Sequence, residues 1–294
     1  MKKLIRVNSI DIVYSNTASV LVGALVAREC KVKHVWHLHE IIQKPVMFSK
    51  MVGLLLNNYS DKIIVVSDEV KKHWALHVNP EKMLTIHNGL NYSDYLAAPA
   101  MLKTELGLSE AQVLIGMIGR VNQWKGQSYF LEIIERLAPK YPTARFLFVG
   151  NAYPGNEHLD DELNAKISKE PFAGCVYNLG FRTDIPMIMA SLDIFVLPSI
   201  LPDPLPTVVL EAMASARPVV ATRHGGALEM VDAPSTGVLI PWDDAVMAES
   251  IIAALIDDAG LRTRMGKAGK ERVQRDFSLQ QYELNIVKVI NALG

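Results

Sequence analysis

Residues 113–140 read VLIGMIGRVNQWKGQSYFLEIIERLAPK, and this stretch decides the fold class of the 294-residue chain. Its first part, Val113–Gly119, is a continuous apolar run, which predicts a strand buried on both faces. Its last part, Gln127–Lys140, is amphipathic at helical spacing and predicts a helix. A buried strand, a loop containing glycine and then a helix form one unit of a parallel α/β sheet.

The same alternation of short β-branched runs and amphipathic segments continues along the whole chain. It predicts ten strands, at Asp11–Ser15, His34–His39, Lys62–Ser67, Met83–His87, Val113–Gly119, Arg145–Gly150, Val176–Gly180, Asp193–Pro198, Pro218–Ala221 and Gly237–Ile240. Helices are predicted between most of them, among them Ser19–Glu29, Glu69–His77, Gln127–Lys140, Glu157–Lys169 and Val208–Ala216. This pattern is typical of parallel α/β sheets.

Two domains are predicted on either side of a break near Asn91–Glu105, which contains Pro99 and no strand pattern. Residues 1–95 should form a Rossmann-like domain with four strands, and residues 105–275 a second one with about six. Residues 276–294 should form a final helix that packs back on the first domain. A doubly wound domain normally has about six strands and a glycine-rich first turn. The first domain is therefore predicted to be shortened.

Composition excludes several classes of protein. The net charge of −1 gives no electrostatic footprint for nucleic acid. The most apolar runs are too short to span a bilayer, and the N-terminus lacks the apolar core of a signal peptide. Cys30 and Cys175 lie far apart, which fits a reducing compartment better than a disulfide scaffold. A soluble cytoplasmic protein is expected.

The loop Gly119–Gly126 is the first candidate binding site. Glycine at the carboxyl end of a strand lets the backbone approach a ligand, and the following helix N-terminus favours anions. Arg120 and Lys125 add two cationic groups that suit a diphosphate. On its own, such a loop more often carries two solvated surface charges than a binding site.

The stretch DPLPTVVLE, Asp203–Glu211, is the second candidate. Two prolines predict a rigid turn, with a helix beginning near Pro206 or Thr207. The free amides of Thr207 and Val208 would then form an anion-binding site. Glu211 is costly on an apolar helix unless it has a partner, for example ribose hydroxyls. The alternative is that Glu211 caps the helix or forms a salt bridge.

Two other motifs carry weaker signals. In WHLHE, His37 and His39 lie on one face at the carboxyl end of a predicted strand, and H-x-H is a known zinc spacing. No cysteine or acidic cluster supplies a third ligand, so no metal site is predicted. The paired glycines of HGGALE, residues 224–229, favour a tight turn or a close contact between backbone and ligand.

Taken in order, these motifs resemble the family 4 retaining glycosyltransferases of the GT-B fold. The matching residues are Val66-Ser67, Asn88-Gly89, Gly119-Arg120, Lys125-Gly126, Pro198-Ser199, Asp203-x7-Glu211-Ala212-Met213-Ala214, Pro218–Thr222, Gly225-Gly226-x2-Glu229 and Thr236-Gly237, together with HLHE. The resemblance covers nearly the whole chain from about Asp11 onward. It implies two Rossmann-like domains facing a cleft, the N-terminal one incomplete, so that much of the acceptor site should be absent.

The resemblance also implies roles for individual residues. Arg120 and Lys125, beside Gly119, would hold the donor diphosphate, and Glu211 would bind the ribose. Asp203 and His39 would face the donor sugar, and Phe181 and Arg182 would lie where the base is read. The backbone at Leu205, Pro206, Thr207 and Val208 would meet the sugar and phosphates. Two departures, Asp203 for glutamate and Leu205-Pro206 for Phe-Gly, are expected to alter the sugar pocket.

The function implied is retaining transfer of a hexosyl group from a UDP-, GDP- or ADP-sugar to a hydroxyl acceptor. That acceptor would be a glycan, a lipid-linked sugar or a small molecule. The resemblance further implies no metal cofactor, a cytoplasmic location extending to the inner face of the membrane and peripheral membrane contact. An exposed apolar sheet edge in the shortened first domain would favour a homodimer. Two alternatives remain open, a non-catalytic fragment that binds nucleotide-sugars and a sugar-nucleotide epimerase.

Overall fold

The computed structural model describes all 294 residues, which form two compact units. The first unit consists of Met1–Leu90, Asp203–Leu205 and Phe277–Gly294. The second unit consists of Asn91–Pro202 and Pro206–Asp276. The chain therefore leaves the first unit after Leu90 and returns to it for its last eighteen residues.

A four-stranded parallel sheet in the order β1-β2-β3-β4 forms the centre of the first unit. Its strands are β1 (Ile12–Asn16), β2 (Lys33–Leu38), β3 (Lys62–Val65) and β4 (Met83–Thr85). Its helices are α1 (Lys2–Val7), α2 (Val22–Cys30), α3 (Val46–Tyr59), α4 (Asp68–Trp74) and the C-terminal α14 (Leu279–Asn291), with a short 3-10 turn at Pro80–Lys82. The prediction of four strands is confirmed.

Helix α14 completes the core of the first unit. Val289 packs with Val35, Ile64 and Ile86, which come from β2, β3 and the end of β4. The amide of Leu279 donates to the carbonyl of Leu90 across 3.3 Å, so the C-terminal segment is also joined to the rest of the unit by its backbone. The last residues of the chain thus bury apolar sheet surface contributed by its first ninety.

The second unit contains a six-stranded parallel sheet in the order β10-β9-β8-β5-β6-β7. Its strands are β5 (Val113–Ile118), β6 (Ala144–Val149), β7 (Val176–Asn178), β8 (Ile194–Leu197), β9 (Val219–Thr222) and β10 (Gly237–Ile240). Its helices are α5 (Ser93–Leu96), α6 (Leu102–Glu105), α7 (Gln127–Leu137), α8 (His158–Ile167), α9 (Ile185–Ser191), α10 (Thr207–Ala214), α11 (Ala227–Met230), α12 (Ala245–Asp257) and α13 (Ala259–Asp276).

The order of strands in the second unit reverses at β5. The chain runs from β5 outward to β6 and β7, then returns to place β8 on the other side of β5. In an open α/β sheet, ligands bind in the crevice outside the carboxyl ends of the strands at such a switch point. The loops after β5 and β8 therefore occupy the position where this fold binds ligands.

All ten predicted strands are confirmed, with ends that differ by at most two residues. The helix predicted to begin near Pro206 or Thr207 begins at Thr207, with Pro206 as its N-cap. The largest unpredicted elements are the fourteen-residue α3 and the eighteen-residue α13. No helix is both long enough and apolar enough to cross a membrane.

Candidate functional site

The loops after β5 and β8 pack against each other at Gly126. Gly126 has a φ of +86°, and a Cβ there would lie 1.8 Å from the carbonyl oxygen of Pro198. The amide of Ile200 donates to the carbonyl of Trp124 across 2.8 Å. Only glycine permits this approach, because a side chain would overlap the backbone. The close packing fixes the two loops on either side of the switch point.

Two polar side chains shape the loop that carries the cations. The Asn122 Oδ1 atom accepts the amides of Trp124 and Lys125, at 3.1 and 2.8 Å. The Gln127 amide nitrogen donates to the carbonyl of Arg120 across 2.9 Å. Such side-chain bonds to the local backbone hold a turn in one conformation. Neither Asn122 nor Gln127 had a predicted role, because an amide side chain in a loop carries no motif signal.

Arg120 and Lys125 extend from this ordered loop. The Arg120 side chain is exposed, and its guanidinium carbon lies 3.4 Å from the centroid of the Tyr153 ring. The Lys125 ammonium lies 4.4 Å from the centroid of the Trp124 ring. Each cation therefore rests on an aromatic face, which attracts it without neutralising its charge. Gly119, just before Arg120, has open space where a side chain would be.

Helix α10 begins at the end of the loop after β8. Pro206 has extended backbone geometry, and the amide of Val209 donates to its carbonyl across 2.9 Å. The amides of Thr207 and Val208, in the first turn, have no acceptor within the helix. No acidic residue occupies that turn. The helix start thus carries partial positive charge at this edge of the sheet.

Glu211 lies one turn further along α10 and is half-buried. Burial raises its pKa, and a hydrogen bond from the Tyr95 hydroxyl partly opposes that rise. Burial and the neighbouring Glu211 carboxylate in turn raise the pKa of Tyr95. Tyr95, on α5, was missed because the stretch around it has no strand or motif signal. Its hydroxyl gives the Glu211 carboxylate a fixed orientation.

Phe181 and Arg182 lie in the loop after β7. Their side chains differ in exposure and in hydrogen bonding. The Phe181 ring is largely exposed. The Arg182 guanidinium makes four hydrogen bonds, two to Glu105 and two to Asp184, at 2.6–3.2 Å. These carboxylates raise the pKa of Arg182 above its already high value. Most of the donors of this side chain are therefore already used within the protein.

In the first unit, His39 follows β2 and donates from Nε2 to the Asn16 amide oxygen across 2.6 Å. Burial lowers the pKa of His39, although the Glu40 charge partly opposes this, so the imidazole is neutral at neutral pH. The His37 ring lies 4.3 Å from that of His39, centroid to centroid. His37 Nδ1 lies 2.7 Å from the Tyr14 hydroxyl, and its buried Nε2 has no hydrogen-bond partner.

Glu40 holds the turn that follows β1. Its carboxylate accepts a hydrogen bond from the Thr17 hydroxyl, and also the amides of Ala18 and His39, each at 3.1 Å. Thr17 has a φ of +88°, which is strained for a β-branched residue. The Trp36 indole also donates to the Thr17 carbonyl, across 2.9 Å. These contacts keep Thr17 strained beside the strand end that carries His39.

The structure divides the predicted site residues between the two units. His39, Asp203 and Leu205 belong to the first unit; the others, from Gly119 to Glu211, belong to the second. Within the second unit, the loops bearing Gly119, Arg120 and Lys125 and those bearing Pro206, Thr207 and Val208 follow neighbouring strands. No group of three or more His, Cys, Asp or Glu side chains could hold a metal ion. Both cysteines are free.

Comparison with known families identifies the class of protein. The model of the family "Glycosyl transferases group 1" matches residues 112–258, and that of "Glycosyltransferase Family 4" matches residues 1–94. The chain therefore belongs to the group 1 glycosyl transferases of glycosyltransferase family 4. The predicted resemblance and the predicted GT-B fold class of two Rossmann-like domains are both confirmed.

Individual relatives agree with this assignment. The lipopolysaccharide core biosynthesis mannosyltransferase LpsB of Rhizobium meliloti is 31% identical over 193 residues, covering 65% of this chain and 55% of the relative. Spore coat protein SA of Bacillus subtilis is 24% identical, covering 71% of this chain and 58% of the relative. The chain therefore spans less than two thirds of the length of these relatives.

Among solved structures, Anabaena Alr3699/HepE in complex with UDP superimposes with a TM-score of 0.91 at 27% identity. The match covers 99% of this chain and 81% of that one. The C-terminal domain of a group 1 glycosyl transferase (LpcC) from Francisella tularensis matches with a TM-score of 0.58 at 26% identity, over 65% of this chain and 100% of that domain.

Proposed function

We propose that the chain is a retaining glycosyltransferase that moves a hexosyl group from a nucleotide-diphospho-sugar to a hydroxyl acceptor. One observation carries the proposal. At the switch point of the second unit, the loop with Arg120 and Lys125 packs against the loop that leads into α10. Two cations and a helix N-terminus, all at the carboxyl ends of neighbouring strands, form a suitable binding site for a diphosphate.

The chemistry follows from where charge develops. When the bond between the anomeric carbon and the donor breaks, negative charge grows on the leaving diphosphate. Arg120, Lys125 and the amides of Thr207 and Val208 stabilise that charge, which lowers the barrier without a metal ion. The acceptor oxygen then attacks the face from which the diphosphate departed, and the anomeric configuration is retained.

The remaining residues bind and orient the donor. Glu211 accepts hydrogen bonds from the ribose hydroxyls, with its carboxylate oriented by Tyr95. Because the Arg182 guanidinium is occupied by Glu105 and Asp184, we assign contact with the base to the Phe181 ring and the nearby backbone.

The relatives suggest which substrates to test first. The Anabaena protein has been crystallised with UDP and with UDP-glucose, so a uridine nucleotide and glucose are the first candidates. Other relatives are a phosphatidyl-myo-inositol mannosyltransferase and a galactosyltransferase acting on a diphosphoundecaprenol-linked sugar. We therefore propose a glycan or a lipid-linked sugar as acceptor.

The first experiment is a thermal-shift panel of UDP-, GDP- and ADP-sugars, because a ligand that binds the native state raises its melting temperature. The best donor is then tested for hydrolysis and transfer, and NMR of the product gives its anomeric configuration. Lys125→Ala and Glu211→Ala should each weaken nucleotide binding. Lys169→Ala and Glu170→Ala serve as charge-matched controls, since both precede β7 at the opposite end of the sheet. Unchanged nucleotide affinity in both Lys125→Ala and Glu211→Ala would contradict the proposed donor site.

A second candidate function is binding without transfer. The first unit has four strands, fewer than the six of a typical doubly wound domain, and this favours an incomplete acceptor side. Donor affinity by calorimetry with neither transfer nor hydrolysis would support this candidate. Turnover by the 294-residue chain would exclude it. Isomerisation of the donor without an acceptor would instead indicate an epimerase.

A further inference from the structure

A cavity of about 470 Å³ lies beside the first turns of α7 in the second unit. This volume falls within the range of about 300–1,000 Å³ that is usual for small-molecule sites. Its floor is aliphatic and buried, and is formed by Val121, Leu131 and Leu163. Its rim is polar and comes from α7, from α8 and from the loop after β10. We call this cavity the α7 pocket.

The α7 pocket is distinct from the proposed donor site. The chain crosses the sheet in one direction from β5 to β6 and β7, and in the other direction from β8 to β9 and β10. Because such crossovers are right-handed, α7 and α8 lie on one face of the sheet and α10 lies on the opposite face. None of Arg120, Lys125, Thr207 and Glu211 lines the pocket. A ligand held there would therefore occupy a second site.

An aromatic ring lies at the rim of the α7 pocket. Trp242, in the loop after β10, is 48% exposed. The Tyr129 hydroxyl of α7 donates to the carbonyl of the preceding residue, Pro241, across 2.6 Å. Two residues further on, Asp244 caps α12 by accepting the amide of Met247. The indole is thus presented by a fixed backbone, as a flat apolar surface against which the C–H face of a sugar ring can pack.

Several hydrogen-bond acceptors around the pocket are not used within the protein. Glu132, on α7, and Glu162, on α8, are exposed, and their carboxylates accept no hydrogen bond and form no ion pair. Gln127 forms part of the pocket wall. Its amide nitrogen donates to the carbonyl of Arg120, whereas its buried Oε1 atom has no hydrogen-bond partner. A ligand that carries several hydroxyl groups would supply the missing donors.

The charge of the rim disfavours anions. Glu132, Glu162 and Asp243 carry three negative charges and Lys166 carries one positive charge, which gives a net charge of −2. A phosphate or a nucleotide would be repelled by this rim. The Lys166 ammonium also donates to the Ser128 hydroxyl across 3.3 Å. A metal ion is equally disfavoured, because no three His, Cys, Asp or Glu side chains are grouped to hold one.

We propose that the α7 pocket binds an uncharged saccharide. One sugar ring stacks on the Trp242 indole, and its hydroxyl groups donate to the carboxylates of Glu132 and Glu162. The aliphatic floor takes the carbon atoms of the same ring. This inference goes beyond the proposed transfer reaction and does not depend on it, because the pocket shares no residue with the set assigned to the donor.

The test is saturation-transfer difference NMR of the full chain with maltose and with cellobiose as probes. Titration to about 10 mM reveals a Kd near 1 mM, and we expect transfer to at least one of the two sugars. Trp242→Ala should weaken that binding by about tenfold or more, because the stacking surface is lost. The double variant Glu132→Ala, Glu162→Ala should also weaken it by about tenfold or more, because two charged acceptors are lost.

Matched controls come from surfaces outside the pocket. Phe48→Ala removes an aromatic ring that is 41% exposed in the first unit. Glu271→Ala with Glu283→Ala removes two exposed carboxylates, one on α13 and one on α14. Both controls should bind the sugars like the wild type. All variants should keep the wild-type melting temperature, since every replaced side chain is exposed.

Three results would overturn the proposal. The first is no transfer to either sugar, and the second is an equal Kd for the wild type and both pocket variants. The third is sugar binding that Lys125→Ala removes and Trp242→Ala leaves intact, which would assign the sugar to the donor site. Calorimetry with UDP on the same samples separates the two proposals. Trp242→Ala should keep the wild-type UDP affinity, so loss of the saccharide site is distinguished from loss of the donor site.

Discussion

Replacing Gly126 by alanine tests whether the loops after β5 and β8 pack as closely as the structure indicates. A Cβ at this position would lie 1.8 Å from the Pro198 carbonyl oxygen and 2.6 Å from its carbon. Both atoms belong to the backbone, so no side-chain rotation relieves the overlap. The substitution must therefore displace one loop or the other.

The expected loss in the free energy of unfolding of Gly126→Ala has two parts. A non-glycine residue held at a φ near +86° is strained by about 1–3 kcal/mol. Forcing extra volume into a packed contact costs about 1–3 kcal/mol more. Gly107 offers a matched control, because its φ is +67° and a Cβ there meets nothing within 4 Å. Gly107→Ala should therefore show the backbone strain alone.

Urea denaturation of the wild type and the two variants measures both parts. We expect Gly126→Ala to lose about 1–3 kcal/mol more than Gly107→Ala. Calorimetry with UDP should show weaker binding for Gly126→Ala, because the displaced loop carries Arg120 and Lys125, and no change for Gly107→Ala. Equal losses of stability in the two variants would refute the argument from close packing. Unchanged UDP affinity in Gly126→Ala would separate this loop from the donor site.

Three further predictions concern titration and hydrogen bonding. Burial lowers the pKa of His37 to about 3 from 6.5, so the unfolded chain binds a proton between those values that the folded chain does not. The free energy of unfolding should be highest above about pH 6.5 and should fall on acidification by up to about 1.4 kcal/mol per pH unit. The fall should be smaller in His37→Gln. Urea midpoints measured as a function of pH check this. Tyr95→Phe should cost about 1–3 kcal/mol in urea denaturation, because the half-buried Glu211 carboxylate loses its donor; an unchanged midpoint would contradict the contact. Arg182→Lys should lower the free energy of unfolding by about 1 kcal/mol or less, since lysine cannot form the forked bonds to Glu105. Calorimetry should show unchanged UDP affinity. Weaker UDP binding would indicate that the guanidinium does contact the base.

The strands were predictable because parallel strands are buried on both faces. Continuous apolar runs such as Val113–Ile118 and Ile194–Leu197 are therefore visible in the sequence without reference to their neighbours. Helix α3 was not predicted for the opposite reason. Its outward face is as apolar as its inward face, so no amphipathic period marks it.

The candidate site was predictable where local sequence carries the chemistry. Glycines at strand ends and the proline turn before α10 predict the local backbone geometry directly. Tyr95 acts on Glu211 across more than a hundred residues of chain, and Glu40 acts on Thr17 through a fold that brings their strands together. Partners of this kind depend on tertiary structure, and no spacing in the sequence reveals them.

The return of the chain to its first unit has a consequence for biosynthesis. Val289 of α14 covers β2 and β3, which leave the ribosome long before it. At about 5–20 residues per second, synthesis of the intervening residues 91–276 takes roughly ten to forty seconds. Throughout that time one face of the first sheet lacks the helix that covers it, and the second unit is complete before that helix is made. The first unit is therefore the last to become native, and chaperones should act there.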